Sequence, residues 1–104
     1  MPTSRREKIE AMLTDDPSDT FLRYSLAMEL DKDGEHEASL AIFAELTADA
    51  PPYVPAFFMG AQQLARIGRS DDARKVLCEG IAAAHSQGDQ HAAGEMTEFL
   101  ASLQ

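Results

Sequence analysis

The chain has 104 residues, 44% of them hydrophobic and 26% charged, a composition typical of one small globular domain. Its 18 acidic and 9 basic side chains give a formal net charge of −9. That balance argues against binding to nucleic acid or to an anionic membrane surface, because both need clustered Lys and Arg. The single cysteine, Cys78, excludes an internal disulfide.

No targeting or membrane segment is predicted. A signal peptide needs an apolar stretch of about 7–15 residues after a basic start, whereas here Glu10 interrupts the apolar residues between Ile9 and Leu13. The most apolar stretch, residues 53–61, contains Pro55 and is far shorter than the roughly 20 residues that a membrane helix needs. We therefore expect a cytoplasmic protein.

Apolar residues recur at helical spacings of three and four along the whole chain, and no segment shows the apolar–polar alternation of a strand. The spacing predicts an all-α fold. Six helices are predicted, over residues 4–14, 18–32, 35–48, 54–67, 70–86 and 89–103. Because the connections are short, consecutive helices should be antiparallel neighbours.

Capping residues, glycines and prolines mark the predicted helix ends. Asp16-Pro17 is typical of an N-cap followed by proline at the first helical position. Gly34 and Gly68 suit helix C-termini, where glycine adopts the left-handed conformation at low cost. Ser70 is the predicted N-cap of the fifth helix, and Asp71-Asp72 in its first turn complement the helix dipole.

An offset of 34 residues relates the two halves of the chain. It pairs Pro17 with Pro51, Tyr24 with Phe58, Ala27 with Ala61, Leu30 with Leu64, Gly34 with Gly68, Phe43 with Leu77 and Leu46 with Gly80. We call residues related by this offset repeat mates. Small, large apolar and glycine residues that keep a fixed offset are typical of stacked helix pairs. The offset alone also fits an unrelated array of antiparallel helical hairpins.

These residues resemble the tetratricopeptide repeat family, whose unit is a helix–turn–helix of 34 residues. In residues 20–53 the pattern is carried by Leu26-Ala27, Leu30, Gly34, Ser39, Phe43 and Pro51. In residues 54–87 it is carried by Phe57, Gly60-Ala61, Leu64, Gly68, Ala73, Leu77 and Gly80. Three positions depart from it: Arg23 stands where a large residue is usual, Leu46 where a small residue is usual, and His85 where proline is usual.

The resemblance implies an antiparallel helix-pair superhelix. Two full repeats, residues 20–53 and 54–87, would lie between a partial repeat helix at 4–17 and a capping helix at 89–103. All of these would form a single domain, residues 1–104.

The resemblance also implies that the first helix of each pair lines a concave protein-binding face. It assigns to this face Phe21, Tyr24, Met28 and Lys32 from the first repeat, and Phe58, Gln62 and Arg66 from the second. Family members that clamp a C-terminal carboxylate use Lys, Asn and Arg there, so the aromatic residues and Met28 favour an apolar or helical peptide instead. The same side chains could equally be core beneath the flanking helices.

No arrangement of metal ligands is convincing. Residues 31–37 lack the third oxygen ligand before the glycine, and no Glu stands at the closing distance of a calcium loop, so an acidic inter-helix turn is expected. His85, His91 and Glu95 are too loosely spaced to indicate zinc, and surface histidines are the simpler interpretation. His36 is expected to face solvent at its turn.

No catalytic pattern is convincing either. Cys78 has no supporting motif for a reactive thiol. The densest basic group consists of Arg66, Arg69, Arg74 and Lys75, with Asp71 and Asp72 interspersed. This is typical of local ion pairs, and binding of an acidic segment of a partner is the alternative. We therefore expect no enzyme activity, no cofactor and no nucleic-acid partner.

The predicted function is protein–protein interaction, with a partner's apolar or helical segment buried in the groove. The alternative is a structural module that self-associates, a second copy filling the groove. Residues 1–50 carry five basic and twelve acidic side chains, net −7, whereas residues 51–104 carry four and six, net −2. This asymmetry predicts a partner with a basic stretch beside its apolar anchor, although the charge also favours solubility.

Overall fold

The fold is all-α in the computed structural model, which describes residues 4–103 and contains no strand within them. The helices are α1 (Arg5–Asp15), α2 (Thr20–Lys32), α3 (His36–Ala48), α4 (Val54–Arg66), α5 (Ser70–Ser86) and α6 (Gln90–Ser102). Every end lies within two residues of its predicted position, which confirms the helix assignment. Residues 1–3, on which the targeting prediction partly rests, and Gln104 lie outside the described residues.

The predicted N-cap of α2 was wrong. Asp19, not Asp16, caps this helix, and its Oδ1 accepts a hydrogen bond of 2.8 Å from the Leu22 N–H. Asp16 instead ends α1, because its N–H donates to the Met12 carbonyl at 3.1 Å. The Asp16 carbonyl then accepts from the Asp19 N–H at 3.2 Å, so a turn containing Pro17 precedes the helix.

The predicted N-cap of α5 was also wrong. Ser70 is the first residue of this helix, and Arg69 is the N-cap without a side-chain capping bond. The Arg69 N–H donates to the Leu64 carbonyl at 2.8 Å. The helix therefore begins at Ser70, one residue earlier than a Ser70 N-cap predicts. Asp71-Asp72 do lie in the first turn, as predicted.

Glycine ends α2 and α4, as the sequence predicts. Gly34 has φ +82° and Gly68 has φ +85°, in the left-handed region that glycine adopts without a steric penalty. The next N–H bonds back into the last turn in both cases: Glu35 to Leu30 at 2.9 Å, and Arg69 to Leu64 at 2.8 Å. This is the Schellman arrangement, which satisfies carbonyls at the helix end.

The chain divides into two compact units, Met1–Leu46 and Thr47–Gln104, with the boundary in the last turn of α3. We call them unit 1 and unit 2. Each unit has its own buried apolar side chains. The single-domain assignment, with its partial repeat, two repeats and capping helix, stays a prediction.

In unit 1, α2 and α3 meet at small residues. The Ser39 hydroxyl donates to the Ala27 carbonyl at 2.6 Å, and both residues are fully buried. Ile9, Leu30, Phe43 and Leu46 complete the buried apolar residues of this unit. Leu46 shows that a large side chain is accommodated where the family's pattern has a small one.

Arg6 links α1 to the turn between α2 and α3. Its guanidinium donates a hydrogen bond to the Glu35 carboxylate, and its Nη1 lies 3.6 Å from Asp33 Oδ2. Its Nε lies 3.6 Å from Glu10 Oε2 on its own helix. The hydrogen bond to Glu35 raises the pKa of Arg6 above its ordinary value, against a smaller opposing effect of desolvation, and the nearby carboxylates add to the rise.

In unit 2, α4, α5 and α6 approach closely at Gly80. A Cβ placed on Gly80 would lie 2.5 Å from the Phe57 Cβ and 2.7 Å from the Met96 Sδ. Phe57 and Met96 are both buried. Because Gly80 has no Cβ, Phe57 of α4 and Met96 of α6 can both pack closely against α5.

Candidate protein-binding site

The residues assigned to the binding face of α2 differ in exposure. Phe21, Tyr24, Met28 and Lys32 follow one another at spacings of three and four, so they share one side of the helix. Phe21 is 66% exposed, Tyr24 and Met28 are half-buried, and Lys32 is exposed. Lys32 Nζ lies 3.9 Å from Glu29 Oε2. This side of α2 therefore presents apolar surface beside a cation.

Tyr24 is anchored to the core of unit 1, whereas Phe21 is not part of it. The Tyr24 and Phe43 rings meet edge to face, with centroids 5.9 Å apart and planes at 64°. Phe43 is buried, so truncation of Tyr24 would disturb packing as well as the surface. Among these residues, Phe21 is thus the aromatic side chain whose truncation should disturb the packing of unit 1 least.

The residues assigned to the face of α4 are Phe58, Gln62 and Arg66, spaced by four. Phe58 is half-buried against Phe99 of α6, with ring centroids 5.8 Å apart and planes at 62°. Gln62 is half-buried and Arg66 is exposed. Phe58 is therefore partly covered by the last helix, a contact of the kind that the alternative of a core beneath the flanking helices predicts.

Unit 1 also has a surface hollow that the sequence did not predict. Its volume is about 440 Å³, and it is lined by Leu13, Pro17, Ser18, Arg23, Leu26, Ile42 and Glu45. The one sequence feature that points to this hollow is Arg23, which departs from the family's repeat pattern and lines the hollow. In unit 2 the repeat mate Phe57 is buried and packs on Gly80, whereas in unit 1 these two positions hold Arg23 and Leu46.

Two of the three histidines lie beside a carboxylate. His91 Nε2 lies 3.3 Å from Glu95 Oε1 at an exposed position. His36 corrects a prediction, because it is half-buried and its Nδ1 lies 3.1 Å from Asp31 Oδ1 instead of facing solvent. Within residues 4–103, no three His, Cys, Asp or Glu side chains gather in a way that could hold a metal ion.

The basic group at the start of α5 is locally paired, as predicted. Arg69 Nη2 lies 2.9 Å from Asp72 Oδ2, and Arg74 Nη1 lies 2.6 Å from Asp71 Oδ1. The Arg74 Nε also donates to the Leu103 carbonyl at 3.3 Å. The ion pairs lie at the start of α5, and Arg74 also contacts the C-terminal end of α6.

None of the helices in the described part of the chain has the length and hydropathy required to cross a membrane.

Comparison with known proteins identifies similar solved structures. A solution NMR structure of a tetratricopeptide repeat domain protein from Salinibacter ruber is 32% identical, with a TM-score of 0.78 over 85% of this chain and 89% of that one. A crystal structure of such a protein from the same organism is 31% identical, with a TM-score of 0.73 over 83% and 96%. A protein from Bordetella parapertussis, solved in solution, is 30% identical, with a TM-score of 0.81 over 98% and 89%.

No protein-family model matches the chain, and no curated protein matches it significantly. The Salinibacter structures nevertheless share both the fold and nearly a third of the residues over most of their length. The 34-residue offset and the helix pairs described above agree with that likeness. The chain therefore belongs to the tetratricopeptide repeat family.

Proposed function

We propose that this protein is an interaction module that binds an apolar or helical segment of another protein through α2 and α4. Tetratricopeptide repeat domains generally act as non-enzymatic protein-interaction modules, which supports the class of function. The proposed contact residues are Phe21, Tyr24, Met28 and Lys32 on α2, and Phe58, Gln62 and Arg66 on α4.

The exposure of Phe21 is the observation that supports this proposal most. Phe21 is 66% exposed, so a partner that covers its ring buries apolar surface. Such burial stabilises a complex by about 25 cal/mol per Å² of apolar surface. Tyr24 and Met28 share its side of the helix and are half-buried, so the exposed ring belongs to a continuous apolar strip. Aromatic side chains in such strips are frequent binding hot spots.

On α4 we assign a supporting role. Phe58 is held by Phe99, so it offers a preorganised ring at little entropic cost. Gln62 and Arg66 would supply polar contacts at the edge of the interface. We therefore expect truncation on α2 to weaken binding more than truncation of the polar residues on α4.

The test compares two exposed apolar side chains. Partners captured from the native cell are identified, and the affinity of the purified partner is measured for the wild type, Phe21→Ala and Met12→Ala. Met12 is a matched control, since it is 48% exposed and lies on α1. We expect Phe21→Ala to weaken binding about tenfold or more, the scale of a hot-spot truncation, with Met12→Ala near the wild type.

Equal affinity for Phe21→Ala and the wild type would contradict the role of α2. Sedimentation across a concentration series separates the self-association alternative. A mass that doubles with concentration, and a doubling that Phe21→Ala abolishes, would identify a second copy of the chain as the partner.

A further inference from the structure

We propose that the hollow in unit 1 is a second docking site, which takes a Leu-sized side chain flanked by Lys or Arg on a peptide segment of a partner protein. This site goes beyond the interaction face proposed above. A helix turns by about 100° per residue, so Arg23 and Leu26 lie on the side of α2 opposite to Phe21 and Tyr24. No residue of the hollow belongs to the proposed α2 and α4 faces.

The shape of the hollow suits an apolar side chain. Its volume of about 440 Å³ lies within the range of small ligand pockets, roughly 300–1,000 Å³. Leu13 of α1, Leu26 of α2 and Ile42 of α3 contribute half-buried apolar surface to it. Three helices of one unit thus shape the site, which gives it a preformed apolar wall.

The hollow has a counterpart in the repeat pattern. At the repeat mate of Arg23, Phe57 is only 5% exposed and fills the space beside Gly80. In unit 1 the mate of Gly80 is the fully buried Leu46, and Arg23 lines open space. The repeat mates thus differ: unit 2 buries an aromatic side chain at this position, whereas unit 1 has Arg23 at the edge of an open hollow.

Three acidic residues at or next to the hollow outnumber the one cation that lines it, Arg23, which favours a basic partner. Glu45 lines it, and Asp15-Asp16 directly precede Pro17, which also lines it. Among residues 4–103, the carboxylates of these three acidic residues take part in no ion pair, whereas Arg23 already interacts within the chain. Residues 1–50 carry a net charge of −7. Complementary charge on a partner speeds encounter and fixes orientation.

The decisive variant is Arg23→Phe, which gives unit 1 the residue of its own repeat mate. Removal of a cation would by itself strengthen binding of a basic peptide, so weaker binding by a variant whose thermal midpoint matches the wild type indicates that the phenylalanine ring occupies the hollow. The probe is a synthetic Lys/Ala peptide with one central Leu, titrated into isotope-labelled protein and followed by NMR. Control peptides replace the Leu with Ala, or every Lys with Glu.

We expect the largest NMR chemical-shift changes at Leu13, Leu26 and Ile42. Arg23→Phe and the Leu-free peptide should each weaken binding roughly tenfold or more, the change expected from losing the burial of one Leu side chain. Glu45→Lys, at an exposed position, tests the charge without filling the hollow and should also weaken binding. Association should slow as salt rises from low to physiological, because salt screens rim charges.

Phe21→Ala separates this inference from the proposed function, because it should leave the peptide's affinity for the hollow unchanged. Undiminished binding by both Arg23→Phe and Glu45→Lys would overturn the inference, as would equal affinity for the Glu peptide. Chemical-shift changes confined to α4 would also overturn the inference. A concentration-dependent dimer that Arg23→Phe abolishes and the peptide does not displace would show that a second copy fills the hollow, contrary to the proposal.

Discussion

The hydroxyl of Ser39 donates a hydrogen bond of 2.6 Å to the carbonyl of Ala27, where α3 meets α2. Both residues are fully buried, and their repeat mates Ala73 and Ala61 are fully buried as well. Small side chains at these positions allow the paired helices to approach closely. One unit adds a buried hydrogen bond to this contact, while the other has alanine at both positions.

Replacing Ser39 with Ala should lower the free energy of unfolding by about 1 kcal/mol, the usual net contribution of one hydrogen bond. Its repeat mate shows that alanine fits this position sterically. The reverse change, Ala73→Ser, is the matched control and should have a smaller effect if the new hydroxyl reaches the Ala61 carbonyl. Chemical denaturation of both variants measures this, and a stabilised Ser39→Ala would contradict it.

Ala61→Leu should lower the free energy of unfolding by about 1–3 kcal/mol, because three extra carbon atoms would overpack the contact between α4 and α5. Ala61 is fully buried, and its repeat mate Ala27 lies where α2 meets α3. Ala82→Leu, on the exposed side of α5, adds the same atoms without a neighbour to displace. If the thermal midpoint of Ala61→Leu equals that of the wild type, position 61 does not lie at the helix contact.

Gly80→Ala should destabilise the protein although alanine is the better helix former. The new Cβ would lie 2.5 Å from the Phe57 Cβ, which is below any normal contact distance. Gly94→Ala is the matched control in α6, since its Cβ would have no heavy atom within 4 Å. That control should gain about 0.5–1 kcal/mol from helix propensity. Thermal melts that order the two variants the other way would refute the close approach at Gly80.

Tyr24→Ala and Phe58→Ala should each lower stability, whereas Phe21→Ala should leave the thermal midpoint close to that of the wild type. The first two lose an edge-to-face ring contact, worth about 0.5–1.5 kcal/mol beyond burial, with Phe43 and Phe99 respectively. Any loss of partner binding by these two variants must therefore be corrected for the fraction unfolded. A large drop in midpoint for Phe21→Ala would show that its ring is core.

Arg6→Gln should destabilise unit 1 in low salt, and the difference from the wild type should shrink as salt is added. The pKa of Arg6 is raised in the folded state, so its contribution is fully present below the ordinary pKa of arginine. This contribution is lost only as pH rises through the higher pKa of the folded state. Titration of Arg6 therefore causes no change in the free energy of unfolding near neutral pH. Denaturation at two salt concentrations checks this, and a salt-independent difference would contradict it.

The local features of this protein follow from its sequence. Helix bounds could be predicted to within two residues, because apolar spacing and the glycines at 34 and 68 act over a few neighbouring residues. The family follows from the sequence as well, since Ala27, Ala61, Gly34 and Gly68 keep their 34-residue offset. Caps were less predictable: Asp16 and Asp19 are equally good capping residues, and only the turn's own hydrogen bonds select Asp19.

Only the tertiary structure decided which side chains remain available to a partner. Tyr24 and Phe58 are repeat mates, yet the rings that cover them come from Phe43 and Phe99, at different distances along the chain. The hollow beside Arg23 likewise depends on α1, α2 and α3 together. Exposure and cavity shape arise from contacts between distant residues, whereas helical periodicity reports only which side of its own helix a residue occupies.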